Sequence, residues 1–232
     1  MMITNSCFRF KSIFLLGFIT LIVLMISPAS GQNQFDRVTR VLESKKQLLG
    51  GNVCMLIFKD KHLVYEKNLG SYTRDTPEMI ASCSKWFTAA LAATFIDEGK
   101  IAAKDTIGKY LPVFSKYGKG KITIGQCLSH TSGIESGQIT LLTLLERRKI
   151  GSLDEEMNLF AAKPMSGKPG TVFSYGNTGL NIVGRILEVV TQKDFETLFQ
   201  ERIAKPLEMK HTTFTKGKAV NPSGGATSTA LL

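Results

Sequence analysis

The sequence predicts an α/β protein in which an antiparallel β-hairpin is followed by a mainly helical region. Two apolar runs, at residues 52–58 and 62–66, flank the polar turn Lys-Asp-Lys at residues 59–61 and predict strand, turn and strand. The periodic segments after residue 84 have helical spacing instead. Because a two-stranded hairpin is marginal without further strands or a covering helix, we expect the sheet in this chain to be incomplete.

The composition is that of a globular protein with one sizeable core or two small ones, since 43 % of the 232 residues are hydrophobic and 21 % are charged. The net charge of +10 favours anionic surroundings such as cell-wall polymer or a membrane surface, although a solvated lysine-rich surface is the simpler explanation. No basic helix carries interleaved aromatic residues, so we expect no nucleic-acid partner.

The first 31 residues have the pattern of an export signal. Arg9 and Lys11 give a positive start, residues 13–26 are apolar, and Ala-Ser-Gly at residues 29–31 is a small-residue cleavage site. A membrane span needs about 20 apolar residues, so cleavage is favoured over an uncleaved anchor, which stays the alternative. We expect an exported protein, periplasmic or secreted, that meets a membrane only through an uncleaved signal.

Apolar spacing and capping residues define the helices. Thr123 with Gln126 forms a capping box, and Ser152 with Glu155 starts another helix. Five predicted helices have both ends, at residues 34–49, 85–98, 141–149, 152–162 and 194–204. Two more are predicted to begin at residues 123 and 178. The helix from residue 178 carries an apolar stripe of Leu180, Val183, Leu187 and Val190. From His211 the chain is polar and rich in glycine, serine and threonine.

The cysteines predict neither a disulfide framework nor a metal site. Cys7 leaves with the signal, and Cys54, Cys83 and Cys127 remain, an odd number that allows at most one bridge. We expect free, buried thiols. No C-x-x-C or H-x-x-x-H spacing is present, so we expect no metal and no cofactor.

Ser82 and Lys85 stand at the start of a helix that is apolar on nearly every face, which predicts a position in the core. At a helix N-terminus the backbone N–H groups and the dipole stabilise negative charge on Ser82. Lys85 lies on the same side of the helix, three residues on. Burial and the dipole favour its neutral amine, which can take the serine proton.

A capping serine followed by a surface lysine is the simpler alternative for this pair. Two observations favour the chemical interpretation. No other serine in the chain has a lysine three residues later, and a solvated lysine is awkward in so apolar a helix. The sequence therefore indicates a candidate nucleophile and its base.

Three stretches stand in a fixed order in the chain: SCSKWFTA at residues 82–89, ITIGQCLSHTSGI at 122–134 and FSYGN at 173–177. Together they resemble the class C β-lactamase-like branch of the serine β-lactamase and penicillin-binding-protein superfamily. The resemblance extends over about residues 34–230. It implies a β-lactamase/transpeptidase-like fold, with an antiparallel sheet flanked by helices and a helical subdomain at about residues 100–205 of a domain spanning 32–232.

By this resemblance Ser82 is the acylated nucleophile, Lys85 its activating partner, Tyr175 a general base or acid, and Asn177 a partner of the substrate's amide. The backbone N–H of Ser82 supplies one oxyanion donor. The alternatives are a loop aromatic for Tyr175 and an ordinary helix cap for Asn177. His130 lies in the family's structural His-Thr-Ser-Gly turn, and we assign it no catalytic role.

The implied activity is that of an exported serine hydrolase that opens an amide, ester or β-lactam through an acyl-serine, with small-molecule or peptide acyl substrates that include peptidoglycan. The family's third motif, a Lys- or His-initiated Thr/Ser-Gly strand, lies farther downstream than the 55 residues that follow Asn177. We therefore expect a truncated domain without its C-terminal strands, last helix and second oxyanion donor, a loss worth on the order of 10²–10³ in rate. The alternative is a non-catalytic member that binds cell-wall peptide or a protein partner.

Overall fold

The computed structural model describes two compact units, divided between residues 72 and 73. The described residues are 33–137, 140, 145–147, 149–214 and 219–231. The predicted export signal lies outside them, and so does most of the predicted helix at residues 141–149, of which 145–147 are helical. None of the described helices combines the length and the apolar character needed to cross a bilayer.

The first unit contains one helix and the predicted hairpin. Helix α1 (Asp36–Lys45) ends earlier than the sequence predicts. Strands β1 (Val53–Lys59) and β2 (His62–Leu69) pair antiparallel. The hairpin turn places Asp60 and Lys61 at positive φ angles of 50° and 65°, a backbone conformation that favours glycine. The hairpin prediction is confirmed.

The second unit is mainly helical, as the spacing predicts. Its helices are α2 (Ser84–Asp97), α3 (Ile107–Tyr110), α4 (Pro112–Lys116), α5 (Ile124–Leu128), α6 (Leu153–Ala162), α7 (Thr178–Thr191) and α8 (Phe195–Phe199), which continues as a π-helix, Gln200–Ala204. The Thr123 hydroxyl accepts from the backbone N–H of Gln126, and the Ser152 hydroxyl accepts from that of Glu155. Both predicted caps are confirmed.

A small sheet in the second unit was not predicted. Strands β3 (Glu78–Met79), β4 (Thr213–Phe214) and β5 (Ala226–Ser228) form an antiparallel sheet in the order β3-β5-β4. Strands of two or three residues are too short to show an alternating pattern, and β5 lies in the polar segment near residue 230. The sheet brings this segment next to the residues that precede Ser82.

Helix α2 is buried on one face only, which corrects the expectation of a helix enclosed on nearly every side. Leu91 and Phe95 are almost inaccessible to solvent, whereas Trp86 is 83 % exposed. The apolar stripe of α7 packs into the same core. The core also contains an aromatic cluster, in which the ring of Phe214 contacts the rings of Phe195 and Phe199. Helices α2 and α7 therefore pack against each other in the core of the second unit.

The cysteine prediction is correct in part. Cys127 is a buried free thiol, and burial raises its pKa to about 12. Cys83 is a free thiol but is exposed, contrary to the expectation that it is buried beside Ser82. In the 3₁₀-helix before α2, Ser82 is half-buried whereas Cys83 is exposed to solvent.

Gln192 and Glu208 adopt φ angles of +56° and +55°, in the left-handed region that favours glycine. In this conformation a residue with a Cβ atom is destabilised by roughly 1–2 kcal/mol through steric strain in the backbone. We expect Gln192→Gly to raise the free energy of unfolding by up to about 1 kcal/mol in urea titrations, because glycine's greater freedom in the unfolded chain offsets part of the gain. Gly99→Ala, at φ +70°, is the reverse control and is expected to lower stability. A loss of stability in Gln192→Gly would contradict the strain argument.

Candidate active site

Ser82 is presented by a strained turn at the start of α2. It lies half-buried in a 3₁₀-helix, Ala81–Cys83. Ala81 adopts a φ of +44°, unusual for a residue with a side chain and typical of functional sites. The Ser84 hydroxyl donates to the Ala81 carbonyl (2.6 Å) and accepts from the Ala226 N–H (3.0 Å), which fastens the turn to β5.

Lys85 is 6 % exposed and is surrounded by three oxygen atoms. Its Nζ donates to Ser82 Oγ (3.3 Å), Asn177 Oδ1 (2.9 Å) and the Ser223 carbonyl (2.8 Å). The amide and carbonyl oxygens can only accept, but a hydroxyl can also donate. In the neutral amine, Asn177 and Ser223 therefore hold the two N–H bonds, and the lone pair faces the Ser82 hydroxyl.

Burial makes this neutral form more accessible than it is in a surface lysine. Burial lowers the pKa of Lys85 below the usual value for lysine, and Tyr175 opposes part of that shift. The Nζ atom lies 5.0 Å from the centroid of the Tyr175 ring. The amine is thus easier to deprotonate than a surface lysine and lies close to both candidate proton partners.

Tyr175 contacts His130, a residue predicted from the sequence to lie in a structural turn without a catalytic role. The rings of His130 and Tyr175 are 4.7 Å apart, and the His130 carbonyl accepts the Ser174 N–H at 2.8 Å. Burial lowers the pKa of His130, and Lys85 adds to this shift when it is charged. His130 therefore orients the loop that carries Tyr175.

Asn177 occupies the capping position of α7, but its side chain makes no capping hydrogen bond. Its Oδ1 accepts from Lys85 Nζ instead. The simpler alternative of an ordinary helix cap does not describe this side chain. All four residues predicted for the site, Ser82, Lys85, Tyr175 and Asn177, are thus brought together.

Ser82, Lys85 and Tyr175 open onto a cleft of about 440 Å³. Ser82, Lys85, His130 and Tyr175 form its polar side. The apolar side is formed by Trp86, Ala89, Leu128 and Leu180. Within the described part of the chain no cluster of three or more His, Cys, Asp or Glu side chains could hold a metal ion.

The sequence reasoning missed the residues behind Lys85. Ser223 supplies its carbonyl, and the Ser223 N–H donates to Asn181 Oδ1 at 2.9 Å. Asn181 follows Asn177 by one helical turn on α7, a spacing that places both side chains on one face and could have identified it. Ser223 itself gave no signal, because its role depends on a backbone atom.

A sequence model of the family described as Beta-lactamase matches residues 35–230. The chain belongs to the β-lactamase family. Protein flp of Staphylococcus aureus (strain MW2) is 29 % identical over 194 residues, which are 79 % of this chain and 38 % of that protein. Penicillin-binding protein 4 of Amycolatopsis lactamdurans is 30 % identical over 195 residues, 81 % of this chain and 49 % of that protein. The chain therefore spans less than half the length of these curated relatives.

Among solved structures, a protein of Bacteroides dorei DSM 17855 that is provisionally described as a β-lactamase is similar at a TM-score of 0.72. It is 32 % identical, and the match covers 84 % of this chain and 60 % of that one. The fold is accordingly β-lactamase/transpeptidase-like, with antiparallel sheets flanked by helices, as the sequence predicted.

Proposed function

We propose that this member of the β-lactamase family is an exported serine hydrolase that opens an amide, ester or β-lactam through an acyl-serine on Ser82. The observation that supports it most strongly is the geometry of Lys85, whose amine lies 3.3 Å from Ser82 Oγ while two acceptors fix its remaining N–H bonds. A serine hydroxyl is a weak nucleophile until an adjacent base removes its proton.

In the first step Ser82 Oγ bonds to the substrate's acyl carbon, and its proton passes to Lys85 Nζ. The negative charge that develops on the acyl oxygen is stabilised by the Ser82 N–H and the positive end of α2. We assign Asn177, whose Oδ1 accepts from Lys85 Nζ, to binding the substrate's amide.

Collapse of this intermediate breaks the acyl carbon–nitrogen or carbon–oxygen bond. The leaving group takes a proton from Tyr175, whose ring is 5.0 Å from Lys85 Nζ. Water then attacks the acyl-serine and gives a proton to the deprotonated Tyr175, while Lys85 Nζ returns its proton to Ser82 Oγ, so that the acid is released and all three groups are restored. No step requires a metal ion or an oxidant.

The proposed substrates are small molecules or peptides with a reactive acyl group, peptidoglycan peptides among them. The proposal includes an export signal at residues 1–31 and a β-lactamase-like domain at residues 32–232, with the periplasm or the cell exterior as the site of action.

The experiment is covalent labelling, which detects a single acylation and does not depend on turnover. The protein is incubated with a fluorophosphonate and, separately, with a fluorescent penicillin, and the intact mass is measured. We expect an adduct in the unaltered protein and none in Ser82→Ala. Ser129→Ala, which removes an exposed hydroxyl, is the matched control and is expected to be labelled normally.

Two outcomes would sink the proposal. One is a folded protein that forms no adduct with either probe, the result expected from a member that only binds cell-wall peptide. The other is an adduct that persists in Ser82→Ala.

A further inference from the structure

A buried line of hydrogen bonds leads away from Lys85 through the segment at residues 220–223. The Ser223 carbonyl accepts from Lys85 Nζ, and the Ser223 N–H donates to Asn181 Oδ1. Asn181 Nδ2 in turn donates to Glu156 Oε2 at 3.0 Å. Ser223 and Asn181 are inaccessible to solvent, and Glu156 is only 2 % exposed. These contacts join α6 and α7 to the amine of the site.

The chemistry of its two neighbours fixes the Asn181 side chain in one orientation. A carboxylate can only accept hydrogen bonds and a backbone N–H can only donate one. Glu156 therefore faces the NH₂ end of the amide and Ser223 faces its oxygen. A flipped amide would break both hydrogen bonds in a buried place, where each unsatisfied group costs about 1–3 kcal/mol.

Arg147 completes the arrangement. Its Nε and Nη2 donate to the two oxygens of Glu156 at 2.9 Å and 3.0 Å, a bidentate pair between a guanidinium and a buried carboxyl group. The same Nη2 donates to the Val220 carbonyl at 2.8 Å. The Thr88 hydroxyl donates to the Pro222 carbonyl at 2.5 Å. The segment at residues 220–223 is thus held through backbone atoms of Val220, Pro222 and Ser223.

We propose that Asn181, Glu156 and Arg147 are positioning residues that place the Ser223 carbonyl against Lys85 and so set the direction of its lone pair and its affinity for a proton. The catalytic part of this inference rests on the proposed function, but the effect on Lys85 itself does not. None of the three residues lines the cleft.

The direction of the effect follows from the hydrogen bond. A carbonyl acceptor favours the ammonium form, so displacement of Ser223 lowers the pKa of Lys85 further. The titratable groups that face Lys85 from other elements, Tyr175 and His130, are left unchanged. Loss of the carbonyl also leaves one N–H bond of the neutral amine unheld, so acylation slows even where the amine is fully deprotonated.

The test is a titration of Lys85 by NMR in protein labelled with [¹³C]lysine, with its resonance assigned by loss in Lys85→Met. Asn181→Leu keeps nearly the same side-chain shape and leaves the charge unchanged. In this variant we expect the midpoint of the Lys85 titration to move to lower pH by about half a unit or more. The plateau rate of fluorophosphonate labelling is expected to fall by about tenfold, the equivalent of one lost hydrogen bond.

Thr212→Val is the matched control, because it removes a buried hydrogen bond between the Thr212 and Ser228 hydroxyls, 2.8 Å apart, that does not involve residues 220–223. We expect it to lower stability without moving the Lys85 midpoint. The Arg147→Gln, Glu156→Gln double variant is the second test if Asn181→Leu does not fold. It removes both charges together, frees the Asn181 amide to flip, and is expected to move the midpoint in the same direction.

Unchanged midpoints in the folded variants, or an equal shift in Thr212→Val, would overturn the inference. Shifted midpoints in a protein that forms no adduct on Ser82 would support the positioning of Lys85 and reject the proposed function. Shifted midpoints together with slower labelling would support both.

Discussion

Replacement of Lys85 by methionine is expected to slow acylation of Ser82 by about 10²–10⁴-fold, the usual contribution of a general base. Methionine keeps most of the volume but cannot take the hydroxyl proton. Lys193→Met, which removes a half-exposed lysine paired with Glu201, is the control and is expected to label at the parent rate. The measurement is the time course of adduct mass with a fluorophosphonate.

The pH dependence of the labelling rate tests the role of Lys85 in a second way. Because the neutral amine is the active form, the labelling rate of the parent should rise with pH and level off above the pKa of Lys85. Burial places that rise below the usual range for a lysine. Lys85→Met should lose the rise, and Lys85→Arg should stay slow because a guanidinium does not deprotonate in proteins. A fast Lys85→Arg variant would show that charge alone, and not proton transfer, is required.

The second large effect is expected on stability. Arg147→Met should lower the free energy of unfolding by about 3–5 kcal/mol, because it leaves the buried carboxylate of Glu156 without its partner. The side chains of this pair are 16 % and 3 % exposed, compared with 49 % and 44 % for Lys193 and Glu201. Lys193→Met should therefore cost no more than about 1 kcal/mol.

Urea titration of both variants measures this difference. The Arg147→Gln, Glu156→Gln double variant should recover much of the loss, because it removes the isolated charge together with its partner. A cost for Arg147→Met close to that of Lys193→Met would mean that the pair contributes little to the fold, and a double variant as unstable as Arg147→Met would contradict the explanation by unpaired charge.

The sequence predicted the parts of the fold that local spacing determines. The hairpin at β1 and β2, the caps at Thr123 and Ser152, and the apolar stripe of α7 all follow from residues close together in the chain. The short strands β3, β4 and β5 do not, because two or three residues leave no periodic pattern and β3 pairs with residues far downstream, Glu78 with Ser228. The exposure of Trp86 was equally invisible, since composition does not show which face of an apolar helix borders a cleft.

The candidate site divides in the same way. Ser82 and Lys85 are recognisable from spacing, and the family resemblance adds Tyr175 and Asn177. Ser223 acts through its backbone carbonyl, which every residue possesses, so its identity carries no signal. Glu156 and Arg147 look like ordinary surface charges in the sequence, and only their burial distinguishes them.

The most direct measurement of the central claim is the location of the covalent adduct. Tryptic cleavage after Arg74 and Lys85 releases residues 75–85, which contain both Ser82 and Ser84. After fluorophosphonate labelling, we expect fragmentation of this peptide to place the added mass on Ser82 alone. An adduct on Ser84 or on another peptide, with Ser82 unmodified, would contradict the assignment of Ser82 as the nucleophile.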